Sequence, residues 1–141
     1  KLGDKLIGTG GFVNISQNAK KVVFCSTFTA GGLAVEIGGR DLRIVCEGRY
    51  RKFRNAIEQV TFNAKYCLSR GHEILYVTER AVFKATPEGL LLMEIAPGAN
   101  LQRDILDQME FRPLLAPGGP ALMDVRLFRP ETLSTPVNEP V

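Results

Sequence analysis

Histidine and cysteine are scarce in this sequence: there is one histidine, His72, and three cysteines, Cys25, Cys46 and Cys67, in 141 residues. The cysteines are odd in number and widely spaced, and no CxxC pair exists. A structural zinc site needs four ligands at tighter spacing, so no metal is expected. By compartment, three such residues read as reduced, mostly buried thiols of a cytoplasmic protein. Cys67 and His72 could formally pair as nucleophile and base, but nothing nearby completes a catalytic set. No apolar run approaches the roughly 18 residues of a membrane span, and no secretory signal is present. Charge of one sign is also weak. A net +3 requires neither nucleic acid nor an anionic membrane as partner. The first residue is Lys1 and not Met, which reads as a piece of a longer polypeptide.

What remains is an ordinary globular composition, 45% hydrophobic and 23% charged, at a length suited to one domain. After Lys1–Ile7 comes Gly8-Thr9-Gly10-Gly11-Phe12, with too many glycines for a helix or strand interior. Residues 13–20 suit one or two helical turns, and Lys21–Ser26 is a short β-branched run that reads as a buried strand. Thr27–Gly32 reads as a loop. Leu33–Ile37 and Leu42–Cys46 alternate around Gly38-Gly39-Arg40-Asp41, which predicts a β-hairpin with one wet face. Residues 55–62 fit a short helix or a strand equally well. Asn63–Arg70 is more helical, with Gly71 placed to end it.

Three strands are expected at Ile74–Thr78, Ala81–Ala85 and Leu90–Ile95, the last two joined by the turn Thr86-Pro87-Glu88-Gly89. Asn100 can cap a helix over Leu101–Met109, with Leu101, Ile105 and Met109 on one face. The prolines and glycines of residues 113–120 predict irregular chain, and residues 129–141 a loose tail.

Among residues that could carry chemistry, the glycine loop stands first. A helix start behind glycines offers unpaired N–H groups and a positive dipole end, able to hold phosphate or a developing oxyanion. The spacing is not that of a dinucleotide fingerprint, and no Gly-Lys-Ser/Thr follows as in a P-loop. Glu79 stands at a strand end beside Arg80, where a nucleophile or base could sit; an ion pair with a nearby arginine is the structural reading. Glu94 and the loop residue His72 read as structural and solvated, respectively. Arg49–Arg54 is the most basic run. It reads as a solvated hairpin edge or loop sooner than as a phosphate patch.

Taken in order, four stretches resemble one family. They are GTGGFVNISQNAKKVVFCSTFTAGGL from Gly8, ILYVTERAVFKATPEGLLLMEIAPG from Ile74, LQRDILDQMEFRPLLAP from Leu101 and LMDVRLF from Leu122. Together they resemble the family I acyl-CoA:carboxylate CoA-transferases of the acetate, propionate and 3-oxoacid type. The resemblance implies an α/β fold: the C-terminal part of an open mixed or parallel sheet with flanking helices and an appended β-hairpin. Residues 1–128 would form the C-terminal portion of the second of two similar halves.

The resemblance also implies CoA transfer between a short-chain acyl-CoA and a carboxylate, through a glutamyl-CoA thioester on a glutamate upstream of this sequence. Neither Glu79 nor Glu94 matches that glutamate. No catalytic side chain is therefore expected among these residues, and the segment alone is expected to be inactive. The oxyanion and CoA-binding position falls on Gly11, with Gly10 beside it. Where some relatives carry a lysine near CoA, this chain has Gly31. The implied partners are the two substrates, the rest of the transferase polypeptide and further copies in a homo-oligomer. CoA would act as substrate and covalent intermediate with no permanently bound cofactor. A non-catalytic CoA- or nucleotide-binding module is the alternative, and a third is an interaction domain using Arg49–Arg54 with an acidic partner.

Overall fold

The β-branched run at Val22-Val23 forms β1 (Lys21–Cys25), which lies parallel to β6 (Glu73–Val77) in the register Lys21↔Glu73 to Cys25↔Val77. This computed structural model describes residues 8–57 and 60–129. Parallel neighbours require a long crossover. Here it carries β2 (Thr29–Ala30), β3 (Ala34–Gly38), β4 (Asp41–Cys46), β5 (Tyr50–Arg51) and the helix α2 (Ala64–Ser69). From β6 the chain doubles back twice, through β7 (Ala81–Thr86) and β8 (Gly89–Ile95), both pairings antiparallel. The short strands β9 (Leu114–Leu115) and β10 (Ala121–Leu122) then add in parallel to β8. The sheet order is β1-β6-β7-β8-β10, with β9 also on β8. The fold class is therefore the α/β mixed sheet the sequence implies.

One face of this sheet carries the main core. Along β7, Ala81, Phe83 and Ala85 are buried and alternate with half-buried residues. Phe83 meets Phe28 and Phe53 at ring-centroid distances of 6.1 and 4.9 Å, and Leu92, Ile105 and Met109 close the cluster. Burying one such phenylalanine contributes about 1.5–3 kcal/mol. A second cluster forms under α2 from Cys67, Ile74 and Ala85, and Tyr76 packs against both. α2 ends as expected. Asn63 caps it by accepting from Tyr66 N–H at 3.1 Å, and Gly71 follows at φ +76°.

Among the described residues β3 and β4 pair only with each other, so the hairpin is an appended ribbon, as predicted. Its apolar face is less covered than expected: every residue of β3 is exposed, and in β4 only Leu42 is buried. Leu42 joins Ala96, Met123 and Phe128 in a third cluster, and its N–H donates to the Pro97 carbonyl at 2.8 Å.

Several expectations change. Leu101–Met109 is helical but not α-helical, a π turn over Leu101–Ile105 running into a 3₁₀ turn over Leu106–Gln108. Asn100 does cap it, accepting from Arg103 N–H at 2.9 Å. At its end the Asp104 carbonyl accepts from Arg80 at 3.2 Å, so this acceptor is taken by a side chain and not by the next helical turn. Ile105 and Met109 still face the core. Only Cys67 is buried; Cys25 and Cys46 are exposed at the ends of β1 and of the hairpin, so the thiols are not mostly buried. Residues 113–120 hold β9 as well as irregular chain, and Thr27–Gly32 holds β2. Lys1–Ile7 and the tail from residue 130 lie outside the described residues.

Candidate functional site

The glycine loop closes a turn in which Phe12 N–H donates to the Thr9 carbonyl at 3.1 Å. Gly10 stands at φ +53°, a left-handed conformation that costs other residues roughly 1–2 kcal/mol. A side chain would meet nothing there within 4 Å, so the glycine serves the backbone path and not a packing contact. Gly11 is the N-cap of α1 (Phe12–Asn18), and its carbonyl accepts from Ile15 N–H at 3.0 Å. Among the described residues, the N–H groups of Gly10 and Gly11 have no acceptor. Both residues are exposed.

The loop's place in the sheet follows from packing. The Phe12 ring lies 6.1 Å from that of Phe24, near the end of β1. The loop therefore sits at the carboxyl end of the parallel pair β1 and β6, where α/β sheets place ligands. Phe12, Phe24, Phe62 and Tyr76 line a small crevice of about 230 Å³ beneath it.

At the same end of β6, the Thr78–Arg80 turn holds a buried ion network. Arg80 is fully buried. Its Nε donates to Glu79 Oε1 at 2.6 Å, and its Nη1 and Nη2 reach Glu47 at 2.6 and 3.1 Å. The guanidinium lies 5.0 Å from the Phe28 ring centroid. Thr29 Oγ1 donates to Glu47 Oε1, which also accepts from Gly48 N–H at 3.1 Å. Burial pushes the Glu47 carboxyl up, but the Arg80 and Thr29 hydrogen bonds and the Arg80 charge outweigh it and leave it below the ordinary value. For Arg80, burial favours the neutral form, and the two carboxylates overcome this and raise its pKa. Asp104 is lowered first by the Arg103 hydrogen bond, against burial, with help from Asn100 N–H.

Glu79 is thus committed on both oxygens: Oε1 to Arg80, and Oε2 accepting from Phe28 N–H at 2.8 Å. It is the ion pair the sequence suggested and is not poised as a nucleophile. Glu94 lines an apolar crevice of about 270 Å³ between the hairpin and the sheet, with Val35, Val77, Val82 and Leu127 among its walls. His72 is half-buried and not simply solvated, and its Nδ1 is buried without a hydrogen-bond partner among the described residues. The basic run is exposed apart from half-buried Phe53. Lys52 donates to the Thr27 carbonyl and hydroxyl at 2.7 and 2.8 Å, and Arg54 pairs with Glu110 at 3.3 Å, the behaviour of a solvated edge. No group of three or more metal-ligating side chains occurs among the described residues, and none of their helices is long and apolar enough to cross a membrane. Sequence reasoning missed the junction of Glu47 with Arg80, because 33 residues separate them and only the fold joins them.

No family model matches the chain. It is 51% identical over 128 residues to the acetate CoA-transferase YdiF of Escherichia coli O157:H7, which covers 91% of this chain and 24% of that protein. It is 52% identical over 115 residues to the caffeate CoA-transferase of Acetobacterium woodii, covering 82% of this chain and 22% of that protein. Among solved structures it is similar to the acyl-CoA transferase YdiF of Escherichia coli O157:H7 in its thioester complex with CoA. The TM-score is 0.86 at 50% identity, over 92% of this chain and 25% of that one. The chain thus spans about a quarter of the length of the curated relatives it matches. Sequence and fold agree along nearly all of its own length, and the chain belongs to the CoA-transferase family.

Proposed function

We propose that this chain forms part of the CoA-handling surface of a CoA-transferase that moves CoA between a short-chain acyl-CoA and a carboxylate acceptor. The observation that carries the reading is the match, at 50% identity and TM-score 0.86, to an acyl-CoA transferase solved as a thioester complex with CoA. Residues 1–128 act as the C-terminal portion of the second half of such an enzyme, in a cytoplasmic homo-oligomer.

The chemistry is a covalent exchange. A glutamate outside this sequence attacks the acyl-CoA carbonyl, expels CoA thiolate and forms a mixed anhydride. The thiolate attacks the glutamyl carbonyl, releasing the first carboxylate and leaving a glutamyl-CoA thioester. The acceptor carboxylate attacks that thioester and expels the thiolate, which then takes the new acyl group and frees the glutamate. Each tetrahedral species carries an oxyanion. The Gly11 N–H is the donor offered to it, with Gly10 shaping the turn. The exposed position of the loop and the lack, among the described residues, of an acceptor for either N–H support this role.

The test is a chimera in which this chain replaces the matching segment of the Escherichia coli acetate CoA-transferase. The chimera is expected to transfer CoA, and the isolated chain is expected to show no turnover. Gly11→Pro removes the N–H while keeping the observed φ of −77° accessible, and is expected to lower kcat about a hundredfold. Gly11→Ala keeps the N–H and meets only Ile15 at 3.6 Å, so it is expected to act near wild type. Turnover by the isolated chain would overturn the placement of the nucleophile, and full activity of Gly11→Pro would overturn the role of the loop.

A further inference from the structure

The sheet face that carries the core is not covered evenly. The core around Phe83 and the core under α2 meet at Tyr76, which packs against both. Along this seam the coverings part and leave a pocket of about 430 Å³. That volume lies within the range of about 300–1,000 Å³ typical of small-molecule sites. Two of the residues lining the seam are small, the buried Ala85 and the half-buried Ala64. The remaining walls are apolar and rich in rings, from Phe53, Tyr76 and Phe111 with Leu68 and Leu90.

The pocket lies by the β7–β8 turn. Because β6 and β7 are antiparallel in the register Leu75↔Lys84 to Val77↔Val82, that turn is at the end of the sheet opposite the glycine loop. Among the described lining residues, three cations, Lys52, Arg54 and Lys65, stand against one carboxylate, Glu88. Lys52 is held by Thr27 and Arg54 by Glu110. Lys65, on the first turn of α2, makes no ion pair or side-chain hydrogen bond among the described residues.

We infer that this pocket is a binding site for a small aryl carboxylate, its ring between Phe53, Tyr76 and Phe111 and its carboxylate at Lys65. Ring walls favour a flat aromatic body over a branched one. A rim of net positive charge, with one ammonium that has no ion-pair partner among the described residues, favours an anion over a neutral isostere. The inference rests on the pocket alone and is independent of the proposed CoA chemistry.

The experiment titrates 3-phenylpropanoate into the isotopically labelled chain and follows backbone amide shifts, with 3-phenylpropanol as the uncharged control. Saturable shifts are expected, confined to residues 64–68, 85–90 and the neighbourhood of Phe53 and Phe111. The alcohol is expected to bind about tenfold more weakly. Lys65→Glu, at an exposed position, is expected to weaken binding about tenfold while leaving the amide spectrum otherwise unchanged. Ala85→Leu fills the floor and is expected to abolish binding in a chain that still melts cooperatively. Shifts that fail to saturate, equal binding of the alcohol, or unaltered binding by Lys65→Glu would each overturn the inference.

Discussion

Glu79 and Arg80 are neighbours in sequence and partners in space: Arg80 Nε donates to Glu79 Oε1 across 2.6 Å, while Glu79 Oε2 holds the backbone N–H of Phe28. The pair ties the β6–β7 turn to the chain leaving β1. Through Glu47, Arg80 reaches the connection between β4 and β5 as well. Removing the cation strands two carboxylates around a buried site. Arg80→Met is therefore expected to lower folding stability by about 3–5 kcal/mol, read as a shift in the urea midpoint. Glu79→Gln keeps one hydrogen-bond acceptor and is expected to cost less. A midpoint unchanged in Arg80→Met would show that the network is not what joins these segments.

The same network makes stability depend on pH in a definite direction. Glu47 and Asp104 both have carboxyl pKa values below their ordinary ones in the folded chain. The unfolded chain binds protons first on acidification, so the stabilisation is complete above the ordinary carboxylate range and lost as pH falls through the lowered folded values. Denaturation curves are expected to coincide between about pH 6 and 7 and to move to lower urea below about pH 4. Glu47→Gln is expected to flatten part of that slope, and an unchanged slope in this variant would remove Glu47 from the account.

Thiol reactivity separates the cysteines. Cys25 and Cys46 are exposed and Cys67 is buried, so two of the three are expected to react rapidly with an aromatic disulfide reagent in the native chain. Cys67 is expected to react only on unfolding. Its thiol also sits beside the Gln17 side-chain carbonyl at 3.4 Å, beneath α1. Early loss of Cys67 would show that α2 does not seal the second core.

Gly10 offers a test of the loop that does not involve catalysis. Its φ of +53° with open space around it means that Gly10→Ala adds backbone strain and no clash. The expected cost is roughly 1–2 kcal/mol, or a local opening of the turn seen as faster amide exchange at residues 9–12. Gly8→Ala has neither strain nor contact and is expected to be neutral.

Much of the fold was legible because it rests on local patterns. β6, β7 and β8 follow from short apolar runs and a Pro-Glu-Gly turn, and the hairpin from two alternating runs about paired glycines. The helical cap at Asn100 was legible for the same reason. What escaped depends on contacts between distant residues. The π turn at Leu101–Ile105 and the contact of Arg80 with the Asp104 carbonyl at its end are not encoded in helical propensity. β9 and β10 are two residues each, too short for any periodicity, and exist only because β8 offers an edge. Cys25 and Cys46 read as buried by residue type, whereas exposure is set by which faces of β1 and β4 are covered. At the site, the glycine loop was visible as composition, while the Glu47–Arg80–Thr29 junction was not visible at all.

The β3–β4 ribbon is fixed to the sheet chiefly at one residue, Leu42, through its side chain and its N–H to Pro97. Gly98 lets the two backbones approach: a Cβ there would stand 2.7 Å from the Leu42 carbonyl oxygen. Held at Leu42 and, at its base, through Glu47 to Arg80, the ribbon is expected to open locally before the sheet does. The apolar crevice lined by Val35, Val77 and Leu127 lies under this ribbon. Local opening of the hairpin, with β6–β8 intact, is thus expected to uncover the sheet-side walls of the crevice, Val77 and Val82.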